Sequence, residues 1–358
     1  MSRHFLHVFP NFDPGGMEVR AAMLMDRLPP PVRHTVVSMS GRQGCVARLR
    51  RARVELCPPP ARGGFLATGR AMAALVRRLR PDVVLTYNWG AIETVLGCSL
   101  AGHRAVVHHE EGFGADETER LLLRRAFVRR LLLRRVRAVV VPSQTLREVA
   151  LRTWRLPTSL VRYLPNGVEL SRFAPRAPRS GGDVVVGCVA HFRPEKDVPA
   201  LIQAFSRCRA RERARLVLVG DGPDRARAEA VARDLGVAAR VRFVGAVQDT
   251  TPEYAGMDVF ALSSRTEQMP LVVLEAMAAG LPVAAPRVGD VASMVDADNA
   301  RFVVAPRDPA ALAAALDELI ENEPLRRRLG ERNRARAAAE YELGARLDAH
   351  VQLYEEIA

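Results

Sequence analysis

The chain of 358 residues runs twice through one rhythm, short continuous apolar segments alternating with longer amphipathic ones, and the rhythm restarts near the midpoint. A short apolar run without polar alternation reads as a strand covered on both faces, and such strands separated by helix-length stretches pair in parallel through helical crossovers. In the first half, residues 4–8, 35–39, 82–86, 105–108 and 138–142 read as strands, with helices over 16–28, 69–80 and 118–135. In the second half, 184–190, 216–220, 241–245, 259–262 and 282–285 read as strands, with helices over 198–208, 223–235, 271–279 and 309–322. Residues 173–183, rich in Pro, Gly, Ser and Arg and without periodicity, read as the linker. The expected fold class is α/β, with two Rossmann-like domains of parallel sheet over 1–175 and 183–340. Segment 326–357 reads as helical throughout, and 341–358 is expected to pack back on the N-terminal domain. Two such halves would leave an interdomain cleft at the carboxyl ends of both sheets, where ligands of these sheets bind.

Composition narrows the class further. Hydrophobic residues make up 48% and charged residues 26%, as in a globular chain. No apolar run approaches the roughly 20 residues of a membrane-spanning helix, and the N-terminus reads as lacking a signal peptide. Five cysteines (45, 57, 98, 188, 208) without CxxC spacing read as reduced thiols rather than disulfides or metal ligands, and point to the cytoplasm. Basic minus acidic residues give 30 − 13 = +17 over 1–182 and 23 − 27 = −4 over 183–358. The whole basic excess therefore lies in the first half, which suits an anionic partner such as a membrane surface. Nucleic acid fits less well, because aromatics are only 5% and no binding module is recognisable.

The most informative stretch is Ser263-Ser264-Arg265-Thr266-Glu267-Gln268-Met269-Pro270-Leu271-Val272-Val273-Leu274-Glu275-Ala276-Met277-Ala278-Ala279-Gly280-Leu281-Pro282-Val283, a loop, a helix and a strand. Pro270 fits the first helical turn and Gly280 the cap after the last. Amides near Met269, Leu271 and Val272 at the helix start form an anion site suited to a diphosphate, and Glu267 and Glu275 flank it as acceptors for sugar hydroxyls. A Glu just before a helix is also a common cap. Upstream, Val189-Ala190-His191-Phe192-Arg193-Pro194-Glu195-Lys196-Asp197 closes a strand; Lys196 is the single Lys among 53 basic residues.

These elements resemble glycosyltransferase family 4. Glu267 and Glu275 match its E-x7-E element, with Gln268 where the family usually has Gly. Lys196 matches the Lys of its G-R-L-x-x-x-K element; His191 stands at the Arg position, and Arg193 is the alternative second cation. Leu216–Pro223 carries a Gly turn at Gly220, Val244 lies on the strand expected beside the nucleobase, and Val288-Gly289-Asp290-Val291 is similar to a V-G-G-x turn. In the first half, Gly15 and Gly16 resemble the family's Gly–Gly loop, and Pro165-Asn166-Gly167-Val168 its P-N-G-V signature.

The resemblance implies a GT-B fold and a retaining, metal-independent hexosyltransferase. No cofactor is expected beyond a nucleotide sugar, UDP- or GDP-linked, as substrate. It places donor contacts at Gly15, Gly16, His191, Arg193, Lys196, Gly220, Val244, Glu267, Met269, Pro270, Leu271 and Glu275. His108 is expected near the reacting carbon as a catalytic group with Glu267 and Lys196, and His109 is its alternate. Glu110 or Glu111, with His109, Asn88 and Trp89, are expected to face an acceptor. Residues 118–137 alternate aliphatics with Arg pairs, which suits peripheral contact with an anionic membrane and a lipid-linked or polysaccharide acceptor at its inner face. An epimerase of the same fold, or a non-catalytic nucleotide-sugar or membrane-binding subunit, are the competing readings.

Overall fold

The computed structural model describes residues 3–29, 31–61, 63–113, 117, 121–174 and 181–358. The chain divides into two compact units, residues 1–165 with 345–358, and residues 166–344. The first contains seven strands: β1 (Arg3–Phe9), β2 (Val32–Ser38), β3 (Val54–Cys57), β4 (Val83–Tyr87), β5 (Val106–His109), β6 (Ala138–Val141) and β7 (Val161–Tyr163). They pair in parallel in the order β3-β2-β1-β4-β5-β6-β7. The second unit contains β8 (Val184–Val189), β9 (Ala214–Val219), β10 (Val241–Gly245), β11 (Val259–Ala261), β12 (Val283–Pro286) and β13 (Val303–Val304), in the order β10-β9-β8-β11-β12-β13. Counted within each unit, both sheets run 3-2-1-4-5-6, the doubly wound order whose direction of winding reverses between the first and fourth strands.

Strand formation follows burial. All of β4, β5 and β6 is buried, and so is β1 after Arg3, which explains their mostly apolar sequences, interrupted by the buried His4, His7, Thr86, His108 and His109. The three strands outside the sequence expectation are β3, β7 and β13, all outermost in their sheets or next to the edge, short, and with mixed exposure. Helix Ile92–Ala101 was also not expected: its sequence IETVLGCSLA is apolar on most faces, so it shows little helical periodicity.

The division falls at Pro165/Asn166 and Gly344/Ala345, and not at 173–183. Both ends of that stretch belong to the second unit: Phe173 packs edge-on against Tyr254 with ring centroids 5.5 Å apart, and Asp183 pairs with Arg215 at 2.7 Å. Residues 175–180 lie outside the described residues. The long terminal helix is two helices, Glu323–Glu340 and Leu343–Ile357. Between them the backbone leaves the helix to bond Val168, whose N–H donates to Tyr341 O (2.8 Å) while Leu343 N–H donates to Val168 O (3.1 Å). The last helix belongs to the first unit, where Tyr354 is fully buried and Asp348 pairs with Arg27 at 2.8 Å.

Candidate functional site

At the winding reversal of the second sheet, the carboxyl ends of β8 and β11 lie side by side, and each continues into a polar loop. The loop after β8 closes in a short turn, Pro194–Lys196; the loop after β11 leads into helix Leu271–Ala278. Lys196 Nζ reaches Glu267 Oε1 at 2.5 Å, although 71 residues separate them. Two further bonds hold the two loops together, and one more braces the Glu267 loop internally. Ser264 Oγ donates to the same Glu267 oxygen (2.7 Å), Ser263 Oγ donates to Lys196 O (2.9 Å), and Arg265 N–H donates to Glu195 O (2.8 Å). The Lys196 and Glu267 side chains keep 27% and 9% of their surface exposed, so the pair borders solvent and its charges are available to a ligand. Pro270 is the N-cap of the helix, and not in its first turn, so the amides of Leu271 and Val272 begin the helix. These amides have no acceptor within the helix and carry the positive end of its dipole.

Glu275 lies on the same helix, where Tyr254 Oη donates to its Oε2 at 2.8 Å. Burial pushes the Glu275 carboxyl up against that bond, while the nearby Arg172 pulls it down. Tyr254 is in turn fixed by stacking on Phe260 at 5.8 Å. The loop carrying Glu267 is fixed by residues whose role the sequence left open. Asn166 Nδ2 donates to Met269 O at 2.8 Å, which gives the P-N-G-V motif a structural task. Gly289, at φ +50°, lies so close beneath the loop that a Cβ there would collide with the carbonyl oxygens of Glu267 and Gln268. Asp290 N–H donates to Gln268 O at 2.8 Å. Gly220, at φ +131°, is needed for backbone contact with Ala190, so its close approach is to the His191 loop. His191 and Arg193 are both exposed; Arg193 lies 3.9 Å from Glu195, and burial with Arg193's charge lowers the His191 pKa. Val244 is half-buried near the end of β10, packed against the core.

The first sheet reverses between β1 and β4. Gly15 is the N-cap of helix Gly16–Arg27, and Gly16 its first residue. Asn88, following β4 with a strained φ of +55°, accepts from Glu111 N–H at 2.7 Å and donates to Met17 Sδ at 3.4 Å. Glu111 in turn pairs with Arg20. Glu18, which sequence reasoning passed over, is 8% exposed, and its carboxylate lies over Gly15, where a Cβ would strike it. Burial, with the charge of Glu111 adding to it, pushes the Glu18 carboxyl up to about 6. The helix start at Gly15 and Gly16, where donor contacts were expected, thus has the chain's own Glu18 carboxylate lying over it.

Two family models together span most of the sequence: Glycosyltransferase Family 4 matches residues 14–172, and Glycosyl transferases group 1 matches residues 172–336. The chain belongs to glycosyltransferase family 4. Its lipopolysaccharide core biosynthesis relative LpsE from Rhizobium meliloti is 36% identical over 170 residues, 47% of this chain and 49% of that protein. A GDP-mannose-dependent phosphatidylinositol monomannoside mannosyltransferase from Mycobacterium tuberculosis is 34% identical over 183 residues, 46% of this chain and 48% of the relative. The chain spans about half the length of these curated relatives. HepE from Anabaena, solved in complex with UDP-glucose, superposes with TM-score 0.82 at 18% identity, covering 99% of each chain, and the fold is GT-B.

Within this family 4 chain, the histidines expected at an open strand end are enclosed. His108 and His109 are both 0% exposed. Alternation along β5 sends them to opposite faces of the sheet. His108 Nδ1 bonds Thr86 Oγ1 at 2.8 Å and its Nε2 lies 3.5 Å from Glu110. His109 Nε2 bonds Tyr354 Oη at 2.9 Å, with its ring stacked on Tyr87 at 4.9 Å. Glu110 is also fully buried; burial would raise its pKa, but Arg129 at 2.9 Å holds it below the usual carboxylate range. Trp89 is taken up by Arg125 and Arg129, whose guanidiniums sit 4.9 and 5.0 Å from its ring centroid. His108, His109 and Glu110 are therefore enclosed in this unit and Trp89 is half-buried, whereas Asn88 and Glu111 stand at its winding reversal. The Asp296-Ala297-Asp298 triplet, which resembles a metal motif in letters, is bonded to Arg332.

Proposed function

We propose that this chain is a retaining glycosyltransferase that moves a hexose from a UDP- or GDP-sugar to a hydroxyl of a lipid-linked or polysaccharide precursor. The observation that carries the reading is the Lys196–Glu267 pair at the winding reversal of the second sheet, beside the start of helix Leu271–Ala278. In the ligand-free chain the two charges satisfy each other. When a donor enters, its diphosphate takes Lys196 and the amides of Leu271 and Val272, releasing Glu267 to accept sugar hydroxyls. His191 or Arg193 supplies a second cation from the exposed loop. Glu275, held by Tyr254, accepts from the ribose. In the transfer step the anomeric C–O bond to the diphosphate breaks with its electron pair going to phosphate, and the acceptor oxygen bonds the anomeric carbon on the same face. The acceptor proton passes to the departing phosphate, so no protein nucleophile is assigned. Lys196 and the amides stabilise charge that grows on the leaving group. The sheet order supports the site, since ligands of doubly wound sheets bind at such a reversal. No metal or cofactor is given a role in this scheme, and the LpsE and mannosyltransferase relatives favour a glycolipid or lipopolysaccharide acceptor.

The test is to screen UDP-, GDP- and ADP-sugars for thermal stabilisation, then to follow nucleoside diphosphate release with and without glycan or lipid-linked acceptors. Acceptor-dependent release with the anomeric configuration kept supports the reading. Interconversion of the nucleotide sugar without acceptor identifies an epimerase instead, and donor binding without release under any acceptor identifies a non-catalytic subunit.

A further inference from the structure

Helix Leu123–Leu132 buries Ala126, Arg129 and Leu132 in the first unit. Its opposite side leaves Leu123, Phe127 and Leu131 exposed at 83%, 64% and 51%. Steps of four residues place these three on one stripe. Single exposed apolar residues are ordinary on a protein surface, but three in line on one helix form a patch that asks for a partner. Exposed Arg124 stands near one end of the stripe, and exposed Arg134 and Arg135 follow the other.

Arg134 and Arg135 also reach a pocket of about 440 Å³, lined with them by Ser99, Gly102, His103 and Arg104. No acidic residue lines it. Burial lowers the pKa of His103, so its ring adds little charge near neutrality and the positive field comes from the three guanidiniums. Two opposing influences are present. The carboxyl end of helix Ile92–Ala101 contributes about half a negative charge, and Asp82 acts on His103 from outside the lining. Arg77 offsets the first by donating to Leu100 O at 2.5 Å. The pocket therefore remains net positive, and its Arg134 and Arg135 directly follow the helix that carries the apolar stripe.

We propose that the stripe and pocket together dock the chain on an anionic phospholipid surface, with the apolar side chains entering the acyl boundary and a headgroup phosphate seated among Arg104, Arg134 and Arg135. A soluble protein partner would not need the acid-free pocket, and a soluble anion would not need the stripe. The assignment deepens the proposed function by naming the surface that carries the acceptor. It rests on that reading only for its purpose.

The test is cosedimentation of the full chain with vesicles of phosphatidylcholine, with or without phosphatidylglycerol. The intact chain is expected to bind the phosphatidylglycerol vesicles and to be released by salt. The triple variant Leu123→Ser/Phe127→Ser/Leu131→Ser is expected to lose binding to them. Arg104→Gln/Arg135→Gln is expected to bind them about thirtyfold more weakly, since each basic residue near an anionic surface is worth about fivefold. Circular dichroism melting checks that both variants fold. Absence of vesicle binding by the intact chain, or equal binding by all three proteins, overturns the proposal. So does saturable binding of inorganic phosphate without vesicle binding, which would mark a soluble-anion site, or self-association through the stripe in sedimentation velocity. Donor turnover with a soluble acceptor is measured in parallel, so absence of vesicle binding by the intact chain with its turnover present rejects docking and leaves the transferase reading standing.

Discussion

The two winding reversals share one strand order and differ in almost everything else. In the second unit the reversal ends in a solvent-bordering Lys–Glu pair, a free helix start and a half-buried carboxylate. In the first, Glu18 covers the equivalent helix start, and histidines and tyrosines fill the interior behind it: His7 and His34 lie 3.1 Å apart, and His109 bonds Tyr354. On the proposed reading, the same topology builds one reversal whose Lys–Glu pair is handed to a ligand and one whose carboxylate and histidines are enclosed. Topology says where a ligand can sit; the state of the side chains decides whether it does.

The comparison can be broken at several places. The largest effect is expected in the first unit, where Arg129 is 1% exposed and pairs with both Glu110 and Glu117. Arg129→Met leaves buried Glu110 without its cation and Glu117 with Arg125 alone, and should cost about 3–5 kcal/mol, read by denaturant unfolding. A loss below about 1 kcal/mol would show that this interior is hydrated. In the second unit, Lys196→Met or Glu267→Gln should lower acceptor-dependent turnover by about 10²–10³ with unchanged melting, since each removes charge aimed at the transition state.

Acid should act on the first unit before the second. Burial, with the charge of His4 reinforcing it, lowers His34 to about 4, and burial with the charge of Arg20 lowers His350 to about 3; burial also depresses His7 and His109 well below the usual value. A histidine held neutral in the fold contributes its stability above the unfolded value of 6.5 and loses it as pH falls from there toward the folded value. Between pH 7.5 and 5.5 that is roughly 1 kcal/mol for each such histidine, so calorimetry should show a transition whose midpoint falls with pH and a second that changes less. Two transitions falling together would contradict the contrast. Gly289→Ala should destabilise by about 1–2 kcal/mol and lower turnover, because the site loop must move to clear the new Cβ. Glu18→Gln is the smallest change. Its carboxyl, raised to about 6, weakens the fold as pH rises through that value, so the variant should be more stable at pH 8 by about 1 kcal/mol.

Much of this was legible in the sequence. Central strands declared themselves because burial on both faces leaves them mostly apolar, with a few enclosed histidines. Lys196, Glu267 and Glu275 were singled out because they match the E-x7-E and G-R-L-x-x-x-K elements of the family that the chain resembles. What stayed hidden depends on long-range packing. Short outer strands such as β3 and β13 carry too few buried positions to show a pattern. The enclosure of His108 was hidden because sequence cannot tell that helix Leu123–Leu132 delivers Arg129 onto Glu110 behind it. The Arg pairs of that helix likewise looked uniformly solvated, while one of them is in the core. The join at Asn166 was missed because its contact is with Met269, 103 residues away.

The central claim is that the donor diphosphate binds at Lys196 in the second unit. The most direct measurement is the shift in melting temperature of the intact chain, Lys196→Met and Glu18→Gln on adding UDP or GDP at about 100 times the dissociation constant, where one-site binding adds about 2.7 kcal/mol. The account predicts a rise for the intact chain and for Glu18→Gln, and none for Lys196→Met. An undiminished rise in Lys196→Met, with the rise lost in Glu18→Gln, would place the nucleotide in the first unit and contradict it.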